Sequence, residues 1–196
     1  MTDRTATSDE ELLGLIAAGD REAFAALYRR RRPDVYRFAL HMCGAHATAE
    51  DVVQDVFLAV IAHAGRFRPE RAAALPWLLG IARNYVRRVQ TLAWVRRVTA
   101  WSHVPETTAG DNPLTDLTDR EDIAAIRRII AGLPIRYREA IVLCDLRELS
   151  YADAAIVLCC AVGTVRSRLH RGRALLASRL RDHEHLFRIV ETGILA

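Results

Sequence analysis

Residues Gly163 to Leu180, reading GTVRSRLHRGRALLASRL, decide how this chain is to be understood. At helical spacing Val165, Leu169, Leu176 and Leu180 fall at i, i+4, i+11 and i+15 and make an apolar stripe, while Arg166, Ser167, His170 and Arg171 lie on the other side. One face suits a core and the other a partner. Between Gly163 and Arg181 stand six arginines (166, 168, 171, 173, 179 and 181) and no Asp or Glu, a formal charge of +6. Solvated helix faces normally mix signs, so a face of one sign fits an anion with repeated negative charge.

The residues before it say how such a helix is held. Ser150-Tyr151-Ala152-Asp153 has capping-box spacing and opens a short apolar helix, Tyr151 to Leu158. A brief turn, Cys159 to Val162, leads into the basic helix. Helix, short turn and a second helix with a basic outer face is the helix-turn-helix pattern, whose second helix enters the DNA major groove. The same spacing also describes an ordinary helical hairpin with a solvated arginine face.

The whole chain has 196 residues, 51% of them hydrophobic and 27% charged, enough apolar material for one or two packed domains and too much for a disordered chain. Its apolar runs are broken by Arg well short of the ~18 residues a bilayer span needs, and the amino terminus, MTDRTATSDEE, is polar and acidic. The expectation is a cytoplasmic protein with no direct membrane insertion. Cysteines 43, 144, 159 and 160 form no CxxC pair and read as plain thiols. His41-Met42-Cys43 and His183-Glu184-His185 are too sparse for a metal, and no cofactor is expected. Phosphate-binding GxxxxGK[ST], metal-ligand and nucleophile-elbow motifs are missing, so the chain does not read as an enzyme. All 28 basic residues are Arg, a choice that suits bidentate contacts to phosphate and guanine and that genome base composition also produces.

In order along the chain, Ser8-Asp9-Glu10-Glu11 caps an amphipathic helix with Leu12, Leu13, Leu15 and Ile16, ended by Gly19-Asp20. A second helix runs from about Arg21 to Arg32, and Pro33 separates it from a third, Asp34 to Cys43. Thr48-Ala49-Glu50-Asp51 starts another, in which Val52, Val53, Val56, Phe57, Val60 and Ile61 form a buried stripe. Asp51, Gln54, Asp55 and Leu58 remain together on its far side. An acidic face with Leu in its middle fits a polar-rimmed docking surface, and a solvated helix with one exposed Leu fits as well.

Residues 66–97 are basic, with eight Arg against Glu70. FRPERAAALP reads as a loop, and Pro76 suits the first turn of the helix PWLLGIARNYVRRV, with Leu78, Ile81, Ala82, Tyr85 and Val89 as its core stripe. Trp77, Gly80, Asn84, Arg87 and Arg88 share another face: an aromatic plane, a gap, an amide and two guanidiniums, the parts that hold single-stranded bases and their backbone. Taken singly, Trp77 would be a core anchor and Gly80 a helix-packing contact.

From Val98 to Asp122 the composition turns acidic, with two Pro, several Thr and no helical period, and reads as a flexible linker. Thr118-Asp119-Arg120-Glu121 then caps a helix from Asp122 to Ala131, and Gly132-Leu133-Pro134 leads into another that ends near Asp145. Ile123, Ile126, Ile130, Ile141, Val142 and Leu143 are its core candidates. The fold class is all-α: a helical domain over 1–97, a linker over 98–120, a helix-turn-helix domain over 121–183 and a short tail over 184–196.

Four segments in this order, AEDVVQDVFLAV (49–60), WLLGIARNYVRR (77–88), LPIRYREAIVLCDLRELSYADAA (133–155) and GTVRSRLHRGRALL (163–176), resemble the extracytoplasmic-function (ECF) subfamily of bacterial RNA polymerase sigma factors. The resemblance covers about residues 8 to 182. It implies a subunit that binds core RNA polymerase and directs promoter-specific initiation. Asp51, Gln54, Asp55 and Leu58 would dock on the clamp of the largest catalytic subunit. Arg66, Arg68, Trp77, Asn84, Arg87 and Arg88 would capture and open the single-stranded −10 element. Thr164, Arg166, Ser167, Arg168, His170, Arg171 and Arg173 would read the double-stranded −35 element. An anti-sigma factor is a further partner that the resemblance brings with it. The chain departs from the family pattern at Cys159 and Ala161, where the turn commonly has Gly and Pro, at Asp153 for Glu, and at Gly172 for Ala, which should cost about 0.5–1 kcal/mol in a helix interior. The rival reading is a stand-alone helix-turn-helix repressor, which leaves the Asp51 face and Trp77 to Arg88 unexplained.

Overall fold

The computed structural model describes residues 7–99 and 117–181, with side chains for 7–92 and 122–181, and all its regular elements are helical. They run α1 Asp9–Ala17, α2 Arg21–Cys43, α3 His46–His63, a 3-10 turn Ala64–Arg66, α4 Ala74–Thr99, α5 Leu117–Ala131, α6 Ile135–Ile141, a wide π turn Val142–Leu146, α7 Tyr151–Leu158 and α8 Val162–Leu180. The chain divides into two compact units, which among the described residues are 7–39 with 47–99, and 40–46 with 117–181.

In the first unit the Ser8 capping box forms as expected: Ser8 Oγ accepts from Glu11 N at 3.2 Å and Glu11 Oε2 from Ser8 N at 2.9 Å. Gly19, at φ +90°, ends α1, a conformation that glycine adopts freely. The expected break at Pro33 does not occur; α2 is one helix with Pro33 inside it. Pro33 is exposed, and Ala23, Leu27, Val35 and Phe38 continue one buried face across it. Burying Val35 and Phe38 at roughly 1.5–3 kcal/mol each offsets the roughly 3 kcal/mol that an interior proline costs. Ion pairs brace the same place. Asp9 of α1, only 5% exposed, binds Arg30 at 2.7 Å and also Arg31, and Arg31 reaches past the proline to Asp34 at 3.1 Å.

Other local signals were overridden by packing. Helix α3 begins at His46, so Thr48 lies in its first turn rather than capping it, and Glu50 pairs with Arg32 at 2.7 Å. Leu15 and Ile61 are exposed rather than buried. In α4 the seated residues are Leu78, Leu79, Ala82 and Val86, while Ile81, Tyr85 and Val89 are half-buried. The stripe is rotated from the expected one because the PWLL segment places two adjacent leucines inside.

Helix α4 reaches Thr99 and α5 starts at Leu117, so both helices extend into the stretch 98–120 where a linker is expected. Thr118 therefore sits within α5 and does not cap it. Residues 100–116, and the tail 184–196, lie outside the described residues.

The second unit packs α8 against α6 and α7. Ile130, Leu133, Ile141, Val142 and Leu143 form its core with Ala154, Val157 and Leu158 of α7. Of the other core candidates on the same stripe of α5 as Ile130, Ile123 is exposed at 43% and Ile126 is half-buried. Helix α6 does not continue regularly to Asp145; at Val142 it widens into the π turn.

Candidate nucleic-acid and docking interfaces

The helix-turn-helix is built as the sequence indicates. Ser150 caps α7, its Oγ accepting from Asp153 N at 3.0 Å and donating to Asp153 Oδ2 at 2.7 Å. Cys159 closes α7 in the left-handed region at φ 51°, the conformation that explains why glycine is usual there. Ala161 is an extended N-cap for α8, and no side chain caps that helix.

On α8 the four expected core residues are at most 2% exposed. Arg166, Ser167, His170 and Arg171 are exposed, whereas Thr164 and Arg168 are half-buried. The Arg166 guanidinium lies over the Tyr151 ring at 5.8 Å, and Ser167 Oγ donates to the Thr164 carbonyl at 3.0 Å. Arg168 leans toward the turn, 4.0 Å from Cys160 Sγ. Arg173 is exposed as well, but its guanidinium is engaged within the unit. It grips both carboxylate oxygens of Asp145, Nε donating at 3.1 Å and Nη2 at 2.6 Å. That bond raises the Arg173 pKa, against the burial that lowers it.

Gly172 is buried, and its absent side chain is a fitting rather than a defect. A Cβ there would stand 3.1 and 3.2 Å from Ile141 side-chain carbons and 3.3 Å from the Tyr137 carbonyl oxygen. The expected propensity cost is the condition for α6 and α8 to pack so closely.

In the first unit, Asn84, Arg87 and Arg88 are exposed along α4, with Trp77 half-buried about two to three turns before them. The Trp77 ring stands against Phe67, edge to face, with centroids 5.4 Å apart. Phe67, 7% exposed, is the deeper of the two, so Trp77 is propped open rather than sealed in. Arg66 and Arg68 are exposed at the start of the 66–74 loop. Arg68 Nη1 donates to the Gly65 and Phe67 carbonyls at 3.0 and 2.8 Å, which fixes the bend entering the loop. The far end is fixed by Glu10, whose Oε1 accepts from Ala74 N at 2.9 Å and so caps α4 from α1.

All four residues of the expected docking face on α3 are exposed, Leu58 at 64%. Ile61, one turn on and 55% exposed, doubles the apolar part of that face, which sequence periodicity had assigned to the core.

Comparison with known proteins decides the family. The sigma-70 region 2 model matches residues 27–99 and the sigma-70 region 4 model residues 123–176. The chain is 39% identical over 184 residues to the probable RNA polymerase sigma-C factor of Mycobacterium bovis, covering 88% of this chain and 94% of that one. The chain belongs to the ECF subfamily of RNA polymerase sigma factors. It is also 37% identical over 174 residues to the ECF sigma factor SigM of Mycobacterium tuberculosis, covering 88% and 85% of the two chains. Among solved structures it is similar to CnrH in complex with the cytosolic domain of CnrY, at 25% identity and TM-score 0.69 over 89% of this chain and 97% of that one. It is similar too to the sigma factor RpoE bound to the anti-sigma factor NepR from Bartonella quintana, at 29% identity and TM-score 0.65 over 81% and 96% of the chains. As a sigma factor it binds core RNA polymerase and directs promoter-specific transcription initiation; the repressor reading has no such support.

Proposed function

We propose that this sigma factor divides its work among three surfaces. Asp51, Gln54, Asp55 and Leu58 of α3, extended by Ile61, dock on core polymerase. The 66–74 loop with Trp77, Asn84, Arg87 and Arg88 takes the single-stranded −10 element, bases stacking on the indole and phosphates meeting the guanidiniums. Helix α8 enters the major groove of the −35 element, with Arg166, Ser167, His170 and Arg171 outward, Thr164 and Arg168 at its flanks and its uncapped N-terminus toward a phosphate. The two DNA-binding parts are domains of about 1–97 and 121–183, tethered so that each raises the effective concentration of the other.

The observation that carries this reading is α8 itself: its apolar stripe is buried, and Arg166, Ser167, His170 and Arg171 stand clear of it with no carboxylate on that helix. The protein catalyses no covalent step and acts by binding alone. It works in the cytoplasm, where its polymerase is, and no helix among the described residues is long and apolar enough to cross a membrane. An anti-sigma protein is a natural regulator, since RpoE was solved bound to one.

The test is promoter capture with and without core polymerase. The reading expects a footprint over both elements, with permanganate-reactive thymines at −10, only when both proteins are present, and loss of reactivity in Trp77→Ala. A stable symmetric complex of the chain alone on duplex DNA would refute it.

A further inference from the structure

We propose that Gly172 and Arg173 position α8, and that Arg173 serves promoter binding through Asp145 and not through a contact with DNA. This rests on the reading of α8 as the −35 helix. Gly172 lets α8 lie close against α6: a Cβ there would stand 3.1 Å from Ile141 Cδ1, 3.2 Å from Ile141 Cγ1 and 3.3 Å from the Tyr137 carbonyl oxygen, so those neighbours would have to shift slightly to admit one. One residue later the guanidinium forks onto Asp145, whose side chain is only 4% exposed. A carboxylate so enclosed has little water to fall back on, and the planar two-bond geometry fixes direction as well as distance.

Asp145 is carried by the π turn that follows α6, four residues beyond Ile141, which sets the two partners of 172 and 173 on one side. Arg166 lies two helical turns before Arg173 on the same flank, about 10 Å away at 1.5 Å per residue, and rests over Tyr151. Two tethers that far apart stop α8 from turning about its own axis. A slip of one residue would swing the outward set by about 100°. Arg173, its side chain 45% exposed, is thereby committed to Asp145, and Arg166, Ser167, His170 and Arg171 are left to face the groove.

The experiment uses the full chain with core RNA polymerase on a promoter fragment, measuring Kd against salt for wild type, Asp145→Asn, Arg173→Gln, the double variant and Arg173→Lys. Positioning predicts that Asp145→Asn and Arg173→Gln each weaken binding about tenfold and that the double variant is no weaker than either. It also predicts that Arg173→Gln keeps the wild-type salt slope and that Arg173→Lys, which retains charge but not the fork, is weakened alike. The proposal is overturned if Asp145→Asn binds as wild type or tighter while Arg173→Gln loses affinity with a slope shallower by about 0.9, the signature of one lost phosphate contact. Near-wild-type binding by Arg173→Lys also overturns it, and this arm decides even if the neutral variants fold poorly. Failure of the wild type to form a promoter complex would instead sink the reading of α8.

Discussion

Truncating Leu58 to Ala should separate docking from folding. Leu58 is 64% exposed on α3. Complete burial of a leucine side chain is worth roughly 1.5–3 kcal/mol, and about two-thirds of that is still to be gained when a partner covers it, so about 1–2 kcal/mol. Capture of core polymerase should then weaken by about five- to thirtyfold. Folding should hardly respond, because the site is open to water and Ala is the better helix former. Titration of labelled chain with core polymerase gives the first quantity and a thermal melt the second. Ile61→Ala should behave alike, and Asp55→Arg should weaken capture by reversing a rim charge. Unchanged affinity in Leu58→Ala and Asp55→Arg, with intact melts, would show that this face is not where polymerase docks.

Cys159→Gly should stabilise the second unit by about 0.5–1 kcal/mol, since glycine accepts the left-handed backbone at this position without penalty; a lower denaturation midpoint would contradict it. Arg166→Ala should relax discrimination among −35 sequences by about 1–3 kcal/mol if it reads a base edge; equal selectivity in a promoter-competition assay would remove it from the readers. Burial, helped by Asp145 and opposed by Arg173, pushes the Cys144 thiol up to about 11 from an ordinary value of 9.0. The unfolded chain gives up that proton first, so the thiol's contribution is complete below pH 9 and declines between pH 9 and 11. Melting points across that window should fall less in Cys144→Ala than in wild type, and parallel curves would refute the assignment.

The parts that could be read from sequence are those in which local chemistry and packing agree. Ser8, Ser150 and the Val165 to Leu180 stripe were legible because capping geometry and a 3.6-residue period are local properties. Pro33 was not, because whether a proline breaks a helix depends on apolar faces continuing on both sides of it. The core stripe of α4 was misplaced by a similar cause: Leu79 and Ile81 have equal claims by hydrophobicity, and only the neighbours choose between them. The site shows the same division. The outward face of α8 and the carboxylates of α3 follow from spacing, whereas Ile61 looked like core, and Asp145 and Glu10 have partners 28 and 64 residues away that no periodicity reveals. Gly172 is the most instructive case, a costly residue in isolation that turns out to be a contact.

The most direct measurement is multi-round run-off transcription with purified core polymerase and this chain over a library of bacterial promoter fragments, with start sites sequenced. Discrete new starts should emerge, each preceded by a shared pair of upstream elements at fixed spacing and lost together in Asp55→Arg. Start sites identical to those of core polymerase alone would contradict the account.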